Sequence, residues 1–131
     1  MNYYVDVWRE YFDFSGRARR KEYWFFTLYH TLLLFTGELL AGFLANENSP
    51  LAMVFTVIFF LYILASIIPT IAVSVRRLHD IDKSGWWLFI GLIPIVGAIW
   101  SLILMCTDGT SGPNQYGPDP KATEEYVAVP Q

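Results

Sequence analysis

The sequence predicts an all-α membrane protein: an N-terminal interfacial amphipathic helix followed by a bundle of three transmembrane helices. Three observations carry that prediction. Charged residues make up 16% of the 131-residue chain and hydrophobic ones 54%, where a soluble domain is about 25% charged. So little polar surface cannot cover a compact body in water. Three apolar stretches, residues 24–45, 51–75 and 86–106, reach the roughly 20 residues needed to cross a bilayer. Lys and Arg crowd some flanks of these stretches and avoid others, which is the pattern that orients membrane proteins. The length suits one integral domain, residues 1–120, with residues 121–131 expected to be a disordered tail.

Residues 2–13 come first. Tyr4, Val5, Trp8, Tyr11 and Phe12 share one helical side, and Asp6, Arg9, Glu10 and Asp13 share the other. A helix of that kind is expected to lie in the headgroup plane rather than to dock on the bundle. Ser15 and Gly16 break it, and Ser15 is a candidate cap for the next helix. The first and second spans are apolar all round apart from His30, Glu38 and a few hydroxyl residues, whereas a soluble helix would keep a polar face. The third is interrupted by Pro94 and Gly97, so it reads either as a kinked span or as a re-entrant hairpin. Residues 109–120, GTSGPNQYGPDP, are turn formers at nearly every position.

Orientation follows from the charges beside each end. Arg9, Arg17, Arg19, Arg20 and Lys21 precede the first span, and Arg76, Arg77 and Lys83 lie between the second and third, while residues 46–50 carry only Glu47. Positive flanks stay cytoplasmic, so the N-terminus is expected inside. Three full spans would put the tail outside, and a hairpin would return it inside. Trp24, Trp86 and Trp87 adjoin the basic clusters as interfacial anchors. Arg17, Arg19, Arg20, Lys21, Arg76, Arg77 and Lys83 are therefore the candidate site for anionic lipid, each cation contributing about 1 kcal/mol near an anionic surface. The competing reading is a collar neutralised by Glu22, Asp80 and Asp82. His79-Asp80 is an isolated pair and Cys106 the lone cysteine, so no metal, disulfide or cofactor is expected, and no nucleic acid.

Four polar residues fall at membrane depth: His30, Glu38, Thr70 and Ser101. At 1.5 Å per residue Glu38 lies about 21 Å from Trp24, and Ser101 on a parallel third span would lie at about 22 Å. A Glu38–Ser101 hydrogen bond is thus admitted by depth, and Glu38 is either a proton-responsive group or a helix-pairing one. His30 and Thr70 sit at similar depths near the basic end, about 9 and 7.5 Å in. Ser66, Thr70 and Ser74 form a row that either lines a polar path or bonds its own backbone, and Pro69 among them frees a carbonyl. Gly37, Ala41 and Ala45 give a smooth face for helix contact within the subunit or with a second copy.

Five segments occur in a recognisable order: Phe14–Trp24 (FSGRARRKEYW), Arg76–Asp80 (RRLHD), Lys83–Trp87 (KSGWW), Pro94–Gly97 (PIVG) and Gly109–Pro120. Together they resemble the domain of unknown function 805 family. The resemblance implies a small multi-pass protein of the bacterial inner membrane and supplies no catalytic residues. On the residues themselves, the expected role is a structural or interaction module that holds anionic lipid or a membrane partner at its basic, aromatic collar. The alternative is one subunit of an oligomeric transporter or channel using Glu38. No nucleophile stands beside a base, so an enzyme is not expected.

Overall fold

The computed structural model describes residues 2–46 and 49–122. Glu47 and residues 123–131 of the expected tail lie outside the described residues. Among the described residues four α-helices and one 3-10 helix follow in order: α1 (Tyr3–Arg9), α2 (Arg20–Ala45), α3 (Pro50–Asp80), the 3-10 helix Gly85–Leu92, and α4 (Val96–Cys106). Helices α2 and α3 are the two long enough and apolar enough to cross a membrane. Their 26 and 31 residues amount to about 39 and 46 Å at 1.5 Å per residue, beyond the roughly 30 Å of hydrocarbon. Both are therefore longer than a crossing of that layer needs.

Local chemistry explains the boundaries of α3. The Ser49 hydroxyl accepts from the Leu51 amide and Pro50 occupies the first turn, where its missing N–H costs nothing. Further along, Pro69 cannot donate to the carbonyl four residues back, which is that of Ala65. The Tyr11 hydroxyl donates to this carbonyl at 2.7 Å. The N-terminal segment thus repairs the backbone of a helix more than fifty residues downstream.

That repair belongs to a docked α1. The helix is shorter than the expected 2–13 and packs on α2 and α3 instead of lying apart from them. Val7 is fully buried in a cluster with Ala18, Phe26 and Val73. Tyr3 stacks on Phe25 and Tyr4 on Phe26, while Trp8 meets Tyr62. Gly16, at φ +77°, turns the chain toward α2, and the Ala18 amide donates to the Arg76 carbonyl at 2.9 Å. Ser15 bonds Asp13 and does not cap α2, whose N-cap is Arg19 with no side-chain cap.

Of the two readings of the third apolar stretch, a kinked span or a hairpin, the structure has the fold-back. Residues 85–106 fold back on themselves at Pro94 instead of continuing as one helix. Leu88 and Ile90 of the 3-10 helix pack against Leu104 and Met105 of α4, and a Cβ on Gly91 would lie 3.4 Å from Ser101 Oγ. Gly85 abuts Val75, and the Met105 carbonyl reaches Arg77. Both ends of the segment therefore sit beside one end of α3. At the apex the Val96 amide bonds the Pro94 carbonyl at 2.7 Å around Ile95, whose φ of +65° and ψ of −67° describe a tight γ-turn. A β-branched residue there is strained. Gly97 beside it has no space for a Cβ against the Ile90 carbonyl.

The core is confined to the end that carries the basic residues, the rim. Within residues 31–46 and 49–65, Ala52 is the one buried residue. At that far end α2 and α3 meet through Gly37, where the Phe59 ring fills the space a side chain would need.

Candidate functional site

The rim is organised by one carboxylate shared between two buried guanidinium groups. The side chains of Arg17, Arg77 and Asp80 are 1%, 0% and 2% exposed. Arg17 holds Asp80 Oδ1 through Nε at 3.0 Å and Nη2 at 3.0 Å, and Arg77 Nη1 holds Oδ2 at 2.7 Å. Further donors go to backbone carbonyls of the end of α4 and of the residues that follow it. Arg17 reaches Thr110 at 2.5 Å and Gly112 at 2.7 Å. Arg77 reaches Met105 at 3.2 and 3.3 Å, and also Thr107. The Thr110 amide returns a bond to the Asp80 carbonyl at 2.7 Å. Gly109 lies so close to the Asp80 carboxylate that a Cβ would collide with it. Residues 105–112 are latched onto the end of α3.

Further contacts complete the rim. Arg76, 3% exposed, pairs with Glu10 and lies 3.5 Å from Glu22. Arg20 pairs with Asp108 at 2.8 Å and donates to the Cys106 carbonyl at 3.1 Å. Arg19 is buried at the start of α2. His79 turns away from Asp80: its Nδ1 lies 3.0 Å from the Gly16 carbonyl, which can only accept, so Nδ1 carries the proton. The ring stacks on Tyr116 at 3.9 Å. Asn114 bonds the His79 carbonyl at 2.9 Å and Gln115 bonds Asp82 at 3.1 Å. The Asp119 carboxylate accepts the Lys121 and Gly112 amides, which hold its pKa below the usual carboxylate value.

Lys21 and Lys83 stand outside the latch. Lys21 is exposed, with no ion pair among the described residues, and Lys83 Nζ rests 4.6 Å above the Trp87 ring. Between α2, α3 and the hairpin runs a cleft of about 260 Å³, lined in part by Tyr23, Trp24, Ser74, Trp87, Ser101 and Met105. Trp24 and Trp87 thus share one cleft, while Trp86 stacks on Phe89 and is 77% exposed.

Of the four polar residues within the long apolar stretches, His30 and Thr70 make hydrogen bonds, and the expected Glu38–Ser101 pair does not form. His30 Nδ1 lies 2.8 Å from the Tyr62 hydroxyl, which lies 2.7 Å from that of Tyr4. Thr70 bonds the Ser66 carbonyl and Ser74 bonds the Thr70 carbonyl, both at 2.7 Å, so this row serves its own backbone. Glu38 is exposed and makes no hydrogen bond among the described residues. The hairpin carries Ser101 into the cleft by Tyr23, away from the parallel register that would have met Glu38. Among the described residues no three His, Cys, Asp or Glu are grouped to hold a metal.

Residues 11–118 match the family model described as "Protein of unknown function (DUF805)". The chain belongs to the DUF805 family. It is 43% identical to "Inner membrane protein YhaI" of Escherichia coli (strain K12) over 121 residues, covering 92% of this chain and 97% of the relative. "Inner membrane protein YhaH" of the same organism is 40% identical over 92% of this chain and 98% of the relative. "Uncharacterized protein YiiR" is 32% identical over 82% and 86%. No solved structure matches. The DUF805 match includes every latch partner from Arg17 to Gly112 and leaves out α1.

Reading the sequence missed Tyr4, Tyr11 and Tyr62 as polar partners and Gly109 as a contact. A signal existed for Tyr11: Pro69 announces a free carbonyl, and the apolar side of α1 carries hydroxyls able to reach it.

Proposed function

We propose that this protein is an interaction module of the bacterial inner membrane that holds anionic phospholipid at its cytoplasmic rim. In this reading α2 and α3 cross the membrane, the segment 85–106 enters and leaves from the cytoplasmic side, and the N-terminus and residues 107–122 share that side. Lys21 and Lys83 supply the charge for the headgroup, Trp24 and Trp87 stand at the interface, and the cleft between them takes part of an acyl chain. The names of the relatives and the positive flanks support the location. The single observation that carries the ligand is the cleft shared by Trp24 and Trp87, with a lysine on one of those rings. Arg17 and Arg77, occupied by Asp80 and carbonyls, hold the rim together.

Native mass spectrometry with phosphatidylglycerol or cardiolipin tests the proposal. At about 1 kcal/mol per cation, Lys21→Gln with Lys83→Gln should weaken retention by about 2 kcal/mol, roughly 30-fold. Retention equal to that of the unaltered protein would remove the lipid reading.

A further inference from the structure

Among the described residues, the elements beyond the two long helices sit at one end. Helix α1 lies at the level of the first turns of α2, with Glu10 paired to Arg76 and Tyr3 on Phe25. The hairpin begins beside Val75 and ends beside Arg77. Its arms of 8 and 11 residues reach about 16 Å each, at 2.0 Å per residue for a 3-10 helix and 1.5 Å for an α-helix. That is about half of a 30 Å hydrocarbon layer. At the apex Leu92 and Ile95 are 76% and 78% exposed, as suits side chains that meet acyl chains.

The two leaflets therefore hold unequal protein. One contains α2, α3, α1 and both hairpin arms, while the other contains α2 and α3 alone. A helix about 11 Å across occupies roughly 100 Å², so three extra elements add on the order of 300 Å² to a single leaflet. The packing is rigid where the excess lies, because the arms are tied to α3 by Arg77 and Gly97 leaves no room between them. Lipid must fill the difference at the far end. The mismatch shrinks wherever the broad leaflet is convex.

We infer that the molecule is a wedge, and that the partner its shape fits is a curved lipid surface with the rim in the convex leaflet. This rests on the membrane placement proposed above. It adds a preference for one sign of curvature, which lipid binding at the rim does not require.

The experiment uses the full chain with a fluorescent C-terminal fusion in giant vesicles of phosphatidylethanolamine and phosphatidylglycerol. Insertion and orientation are established first with a membrane-impermeant maleimide on Cys106, which is exposed beside the rim. Vesicles with the rim outward are then drawn into narrow tethers, outward in one set and inward in the other. The protein-to-lipid ratio relative to the parent vesicle should exceed one in outward tethers, whose outer leaflet is convex, and fall below one in inward tethers. Failure to insert would overturn the membrane placement itself. Insertion with no sorting, or with the same sign in both sets, would overturn the wedge and leave lipid binding standing.

Discussion

The rim half and the far half of this protein are built on different principles. At the rim, α1, the hairpin and the turn-rich segment converge on α3, and buried ionic and backbone bonds hold them. In the far half two helices touch through close packing of Phe59 on Gly37, and large side chains such as Leu39 and Phe43 stand 61% and 67% exposed. Lipid tails are as apolar as leucine, so apolar area alone does not draw helices together in a bilayer. Specific architecture there comes from close packing and from polar bonds, which are hard to replace in hydrocarbon. The chain concentrates such bonds where its architecture is complex and omits them where two helices simply cross.

Substitutions can break or sharpen this contrast. Asp80→Ala should have the largest effect, since it leaves two buried guanidinium groups without their carboxylate. A loss of about 3–5 kcal/mol is expected, read as denaturant or thermal stability in detergent. Gly109→Ala pushes a methyl group into the same carboxylate and should cost about 1–3 kcal/mol in that assay. Tyr11→Phe orphans the Ala65 carbonyl, for about 1–2 kcal/mol. Pro69→Ala supplies the missing amide, so in that background Tyr11→Phe should cost much less, and a double-mutant cycle measures the coupling. Smallest of all, Leu39→Ala and Phe43→Ala in the far half should shift stability by no more than about 0.5 kcal/mol. A loss beyond about 1 kcal/mol at either position would place protein rather than lipid against that face.

Much of the fold was legible because hydropathy reports solvent. The two long helices and the helical bias of residues 2–13 follow from composition and period, and the tryptophans beside the basic clusters predict which end is the rim. The third segment was not decidable on the same grounds. Residues 86–106 are apolar enough to cross; they reverse at Pro94 and Ile95, and Arg77 holds the Met105 carbonyl at the returning end, a tertiary bond that hydropathy cannot register. The γ-turn at Ile95 is likewise invisible, since isoleucine ordinarily argues against a left-handed backbone. Charge clustering located the rim but not the division of labour inside it. Whether an arginine faces phosphate or a neighbouring carboxylate depends on where Asp80 points. The His30 partner, Tyr62 on α3, was not named from the sequence because a tyrosine in an apolar run reads as packing rather than as a hydrogen-bond partner.

The latch also orders events in time. Residues 17, 77 and 80 leave the ribosome before 105–112, and the apolar segment 86–106 emerges between them. While it is being made, the later carbonyls that the rim arginines will hold do not yet exist. A chain stopped short of residue 105 would lack the carbonyls of residues 105, 107, 110 and 112 that Arg17 and Arg77 hold, and would carry a rim with no closure at all.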